Sequence, residues 1–194
     1  MRYALFPLNT VLFPGSVLPL QIFEQRYLTL VKDCMKQQDG FVIVLISEGR
    51  EVGAAAEIFS VGCYVEIIDW ESLPNGLLGI SVKARHRVRL SGSSVRDDGL
   101  MFAEAEALQD GIDTTTYPLP EGCAALSDTL KELLKHPFAA RYRDTIDFGS
   151  CTDICYRLGE LLPLDNRQKQ SLLEAESSQQ LLDQVSLHIN ALQA

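Results

Sequence analysis

Leu5-Phe-Pro-Leu-Asn-Thr-Val-Leu-Phe-Pro-Gly-Ser-Val-Leu-Pro-Leu-Gln-Ile-Phe-Glu-Gln-Arg-Tyr27 carries three of the chain's eight prolines, with short apolar runs between them. A proline has no N–H to give a sheet ladder, so each must stand at a strand end, an edge or a bulge. The stretch reads as two short strands, Arg2–Phe6 and Val17–Phe23, joined by an irregular crossing. The tightest point of that crossing is Pro14-Gly15, where glycine supplies the positive φ that a type II turn requires after proline. A chain that leaves a sheet, turns and re-enters it within ~20 residues is the opening of a small closed or half-closed β-barrel.

Downstream, Tyr27, Leu28, Leu30, Val31, Cys34 and Met35 recur at three- and four-residue spacing and predict a helix over Glu24–Lys36, with Gly40 in its cap region. Phe41–Ile46 is an unbroken β-branched run, the mark of a strand covered on both faces. Ser47–Gly53 is polar and reads as a loop. Ala56–Trp70 and Leu77–Leu90 are the longest strand-like runs, and Leu73-Pro-Asn-Gly76 between them is a hairpin signal. Asp97-Asp-Gly99 turns the chain into Met101–Leu108, whose alternation puts Ala103, Ala105 and Ala107 on one face and Glu104 and Glu106 on the other. Six or so strands with one inserted helix therefore precede Asp113–Pro120, which has the texture of an extended linker. Beyond it the pattern is helical: Glu121–Leu134, a helix from a Ser150-x-x-Asp153 capping signal to Leu162, Asn166–Glu174 behind Asp165, and a last helix from about Ser178. The expected class is α+β, with a β subdomain at 1–116 and a helical subdomain at 117–194.

A net charge of −9 weighs against nucleic acid, because binders of phosphate backbones gain most of their affinity from basic side chains. No apolar run approaches the ~18 residues of a membrane span, and the N-terminus lacks the pattern of a secretory leader. Five cysteines form an odd count without repeated spacing, which suits reduced thiols and a cytoplasmic location.

No phosphate-binding glycine loop, nucleophile elbow or His-Glu-x-x-His stands in the chain, and its three histidines, at 86, 136 and 188, are isolated. Cys151-x-x-x-Cys155 places two thiols one turn apart, but zinc needs two more ligands, so buried apolar cysteines are the better reading. No cofactor and no metal are expected. On a regular strand, Lys83, Arg85, Arg87 and Arg89 share one face, either a basic stripe for RNA or an acidic peptide, or a salt-bridged surface; the acidic balance favours the latter. Apolar residues near turns, Phe6, Phe13, Leu73, Leu77 and Trp70, are the other candidates for an exposed patch, and a polypeptide is expected to be held by Phe13, Phe23, Tyr27, Trp70 and Leu77 together with backbone pairing at an exposed strand edge.

Pro7-Leu-Asn-Thr-Val-Leu-Phe-Pro-Gly15 followed by Leu18-Pro-Leu-Gln-Ile-Phe-Glu-Gln-Arg-Tyr27 resembles the opening of the Lon protease N-terminal, substrate-binding domain, above all its stand-alone bacterial members and the related domain of cereblon. Val61-Gly62, Leu73-Pro-Asn-Gly76, the Arg85/Arg87 strand and Leu161–Glu174 continue the likeness. The resemblance implies a PUA-like β pseudo-barrel with an inserted helix, followed by a C-terminal helical bundle. It implies recognition of unfolded or damaged polypeptides, and it offers no catalytic residue, since the ATPase and Ser/Lys protease modules of Lon lie further along. The expected function is therefore a non-catalytic polypeptide-binding module, an adaptor beside a separate protease, with Glu24 and Arg26 fixing the junction of barrel and helix. The alternative is a PUA-like RNA-binding protein using the strand at 83–89.

Overall fold

The computed structural model describes residues 1–51, 56–108, 121–143 and 145–193. The chain divides into two compact units, Met1–Leu108 and Gln109–Ala194. The expected boundary at 116/117 and the linker Asp113–Pro120 lie outside the described residues, as does most of the end of the Ser47–Gly53 loop.

The first unit holds β1 (Arg2–Leu8), β2 (Val17–Ile22), α1 (Gln25–Gln37), β3 (Phe41–Glu48), β4 (Glu57–Ser72), β5 (Leu78–Val95) and β6 (Met101–Ala107). Its strands form one sheet in the order β2-β5-β4-β3-β1-β6, and β5 also pairs with β6. The pairings β1–β3–β4–β5–β6–β1 thus run round a closed circuit, parallel only at β1–β3, with β2 outside it on β5. Closure removes the free edges that the circuit's strands would otherwise expose.

Inside the circuit, Leu5, Val42, Val44, Val88, Leu90, Met101, Ala103 and Ala105 make one buried cluster, with Tyr3, Ile58 and Tyr64 against it. Ala103 and Ala105 of β6 face this interior and Glu104 and Glu106 face out, as the alternation predicts, whereas Ala107 at the end of the strand is exposed. The other face of β3 is covered too: Phe6 lies 5.9 Å from Phe41 and stacks on Tyr27 of α1 at 4.0 Å between ring centroids. Six consecutive apolar residues in β3 are what that double burial requires.

The proline-punctuated opening folds as its residues dictate. Ser16 N–H donates to the Phe13 carbonyl across Pro14-Gly15, and Gly15 takes φ 82°. Gly15 N–H and Ser16 C=O then bond to Ala84, which carries the chain into β2. Two further turns, Leu73–Leu77 and Arg96–Leu100, are three-residue hairpin loops closed by backbone bonds of 2.9 Å. Arg26 donates to the Gly99 carbonyl at 3.0 Å and pairs with Glu24 at 2.9 Å, so α1 is tied to the β5–β6 turn.

Gly40 does not cap α1; Gln38 does, at φ 55°. A Cβ at Gly40 would stand 2.0 Å from the Val65 carbonyl oxygen, so glycine is there for the close approach of β3 and β4. Met35 also departs from expectation: it is exposed, and Arg26 is buried on the helix face instead.

The second unit contains α2 (Glu121–Leu133), a 3-10 turn (Pro137–Tyr142), α3 (Cys151–Leu161), α4 (Asn166–Leu173) and α5 (Ser178–Gln193). α3 packs against α2, α4 and α5, and seven of its residues are buried, Ile154, Cys155 and Leu158 among them. Both helix starts carry their expected caps: Ser150 accepts from Asp153 N–H, and Asp165 forms a reciprocal capping box with Gln168. Glu160 accepts from the Tyr142 hydroxyl and pairs with buried Arg157, joining the 3-10 turn to α3. Cys123 and Cys151 form a disulfide with Cα atoms 6.1 Å apart. The expectation of five reduced thiols is corrected at this pair. The helices bring into bridging range two cysteines whose 28-residue separation gives no local spacing signal. Cys34, Cys63 and Cys155 are buried and outside any disulfide.

A candidate polypeptide-binding surface around Trp70

Beyond the closed circuit, β4 and β5 run on together and take β2 alongside. In this three-stranded extension Trp70 stands opposite Ile80, which stands opposite Leu20; Ser72, Leu78 and Ile22 form the next row. A bulge interrupts β4, with Ile67 opposite Val82 but Asp69 opposite Ser81, so Ile68 is an extra residue. Both Ile68 and Trp70 are left in solvent, Trp70 at 59% exposure.

Two grooves meet at Trp70. One, of about 430 Å³, runs between the end of α1 (Cys34, Met35, Gln38, Asp39) and Glu66–Trp70 of β4. The other, of about 280 Å³, lies on the extension among Pro19, Gln21, Asp69, Glu71 and Ser81. Leu73 reaches over Gly79 at its end, where a Cβ would stand 3.1 Å from the Leu73 side chain. Trp70 and Asp69 line both grooves, and neither groove has a lysine or arginine in its wall.

The five expected contact residues separate cleanly. Phe23, 58% exposed, and half-buried Leu77 each sit one residue past the Ile22–Leu78 pair, so they stand at the hairpin end of the extension that also carries Trp70. Phe13 has no exposed surface at all, and Tyr27 is stacked in the core on Phe6, with the Arg26 guanidinium 4.8 Å from its ring centroid. Burial pushes the Tyr27 hydroxyl up. A position beside a turn does not decide exposure, because the crossing at 9–16 folds its apolar side chains inward. Ile68 and Met35 complete the exposed patch and escaped the sequence reading. Helical periodicity assigned Met35 to the core, and simple alternation cannot register a bulge.

The basic strand does not form a stripe. Between Tyr64–His86 and Val65–Ala84 the register shifts, so Arg85 occupies a bulge and its neighbours no longer share one continuous face. Arg87 is buried, 3% exposed, opposite Cys63; Lys83 is half-buried; Arg85 and Arg89 are exposed. Arg85 is ion-paired with Glu66 at 2.6 Å, the salt-bridged arrangement that the acidic composition favours.

Cys34 brings a thiol to the wall of the larger groove. Burial pushes the Cys34 thiol up to about 12 and Cys155 likewise, so both are protonated at neutral pH. His86 stacks on Tyr64 at 5.0 Å and His136 on Phe138 at 5.8 Å. Among the described residues no cluster of His, Cys, Asp and Glu could hold a metal ion, and no helix is long and apolar enough to cross a membrane. The arrangement of exposed indole, aliphatic side chains and carboxylates is suited to holding another chain by side-chain contact.

Residues 2–191 match the family model of the ATP-dependent protease La (LON) substrate-binding domain. The chain belongs to that family. Among solved structures, the Lon N-terminal domain protein from Xanthomonas campestris is 29% identical with a TM-score of 0.80, covering 96% of this chain and 98% of that one. The N-terminal domain of Mycobacterium avium complex Lon protease shares the fold, with a TM-score of 0.64 at 16% identity over 96% of this chain and 98% of that one. Among sequences, Lon protease 2 of Syntrophobacter fumaroxidans is 28% identical over 93% of this chain and 23% of its own length. Lon protease of Cytophaga hutchinsonii is 33% identical over 53% of this chain and 12% of its own length. The chain thus spans less than a quarter of these Lon proteases, and what it shares with them is a mixed α+β Lon substrate-binding domain.

Proposed function

We propose that this Lon substrate-binding domain is a non-catalytic polypeptide-binding module. It holds exposed segments of unfolded or damaged proteins against the Trp70 surface and presents them to a separate protease. The closed circuit of strands, with α1 inserted and helices following, is read as a PUA-like pseudo-barrel that keeps the β2–β5–β4 extension rigid. One observation carries the proposal: a large indole stands in solvent where two grooves meet, with Ile68 and Met35 beside it in the larger one. Leaving so much apolar surface in water is unfavourable by about 25 cal/mol per Å², and a site for apolar side chains of a client is what such a patch serves.

On the β2 edge of the extension capture by side chains fits better than strand addition, because Pro19 in its middle offers no N–H to an added chain. The test is fluorescence anisotropy of a labelled, reduced and unfolded client protein, with the same protein folded as control. Saturable binding of the unfolded form alone, weakened about tenfold by Trp70→Ala, is the expected result. Equal and negligible binding of both forms would remove the proposal.

A further inference from the structure

The extension has a second edge, on β4. β3 begins its pairing at Phe41, opposite Val65, and among the described residues no strand lies against the outer side of Glu66–Ser72. Backbone groups along a strand point alternately to one side and the other, and the hairpin fixes which residues point which way. Leu73 N–H donates to the Leu77 carbonyl, so Leu73 and Glu71 direct their backbone groups at β5, whereas Trp70 and Ser72 direct theirs at the open side. The Trp70 N–H agrees with this assignment: it donates to the side chain of its own neighbour, Asp69 Oδ1, at 2.8 Å. The larger groove, of about 430 Å³, runs along Glu66–Trp70 and the last turn of α1, just ahead of the start of β3. No proline stands in Glu66–Ser72, unlike β2 with its Pro19.

From this geometry we infer that the β4 edge at Glu66–Ser72 takes an extended segment of a client as an added strand, bonded main chain to main chain at Trp70 and Ser72. The inference rests on the polypeptide-binding reading and names the class of segment that the site takes. Asp69 is exposed, and its carboxylate satisfies the Trp70 N–H while the edge is empty. A client carbonyl replaces that local bond with one of the same kind, so the exchange costs little. Trp70, Ile80 and Leu20 share one face of the extension, and Asp69, Ser81 and Pro19 the other. An added strand continues both faces: a side chain level with Trp70 meets apolar surface, and its neighbours stand on the polar side. The segment taken is therefore extended, free of proline where it meets β4, and apolar at every second residue. Such segments are paired inside the sheets of folded proteins and come into reach when a chain opens. A second copy of this protein fits the edge badly. Two copies paired antiparallel about Trp70 would set each Asp69 opposite a Glu71, and like charges directly opposite are destabilising.

A short labelled peptide alternating leucine with serine is titrated into the 194-residue protein and followed by anisotropy. Two further versions are N-methylated, one on the leucines only and one on the serines only. Neighbouring residues of an added strand point their N–H groups to opposite sides, so one version loses its bonds to β4 and the other keeps them. The first is expected to bind about tenfold more weakly than the parent peptide and the second about as well. Amide exchange followed by NMR gives a second readout. In the complex the Trp70 and Ser72 amides should exchange at least about tenfold more slowly, while the Glu71 amide, already bonded to β5, is unchanged. Ser72→Pro removes one outward N–H without touching a bond to β5, and should weaken the parent peptide about fivefold. Equal weakening by the two N-methyl patterns, or Trp70 and Ser72 amides that are no slower in the complex, overturns the inference. So does slowing of these amides in the free protein as its concentration rises, which would make a second copy the occupant. If the unfolded client binds without the parity effect and without amide protection, strand addition is wrong and the polypeptide-binding reading stands. If neither client nor peptide binds, the reading itself fails with it.

Discussion

Alanine at Phe13 and alanine at Trp70 should give opposite results, although both aromatics stand in or beside turns. Phe13 is wholly buried, and its truncation leaves a cavity, so urea unfolding of Phe13→Ala is expected to show a loss of about 3–5 kcal/mol. Trp70→Ala removes a side chain already mostly in water and should cost less than about 1 kcal/mol by the same measurement, while weakening client binding. A second residue-level expectation concerns the β5–β6 turn. The Arg96 guanidinium holds the exposed Asp98 carboxyl at about 2, assisted by the Leu100 N–H. A carboxyl depressed in the folded state stabilises it above the unfolded value of 3.8, and that contribution disappears as pH falls through about 2. Carbon-detected NMR titration should therefore find the Asp98 midpoint depressed, rising towards an ordinary aspartate in Arg96→Ala.

At the scale of elements, the informative residues are those with a steric or hydrogen-bonding veto. Pro14-Gly15 announced its turn, Leu73-Pro-Asn-Gly76 its hairpin, and Ser150 and Asp165 their helices, because each residue type satisfies a local backbone requirement that few others meet. Phe41–Ile46 was legible as doubly covered because no polar residue interrupts it. Illegible were the effects of register. A single extra residue at Ile68, and another at Arg85, changes which side chains share a face, and no local chemistry marks either position. The same holds for Met35, whose apolar character suits the core while its place on α1 turns it outward to a groove. Pro19 tests this view of vetoes. Pro19→Val restores an N–H to the outer strand of the sheet, and the variant should self-associate with rising concentration in sedimentation velocity while the parent does not. Unchanged sedimentation would show that the edge is protected by something other than the proline.

Over the whole molecule, the two units have different stabilising means. The β unit closes on itself through β5–β6 and β6–β1 pairing, whereas the helical unit has a covalent cross-link from α2 to the start of α3. A bridge enclosing 28 residues stabilises by about 3–4 kcal/mol in the chain-entropy account. Thiol titration in denaturant should count three free cysteines before reduction and five after, and reduction should lower the melting temperature of the helical signal. The location of that bridge was hidden in the sequence, because only the packing of α2 on α3 brings the two cysteines together. The candidate site was half legible for a related reason: Phe23, Trp70 and Leu77 were readable as apolar residues near turns, but their gathering on one extension depends on long-range pairing of β2, β5 and β4. The central claim, that this extension is where other chains are held, is tested most directly by Trp70 emission during titration with an unfolded client. A saturable change in emission that tracks client anisotropy, with binding weakened in Trp70→Ala, is the predicted result; client binding of full strength in Trp70→Ala, with the emission of the parent protein unmoved, would contradict it.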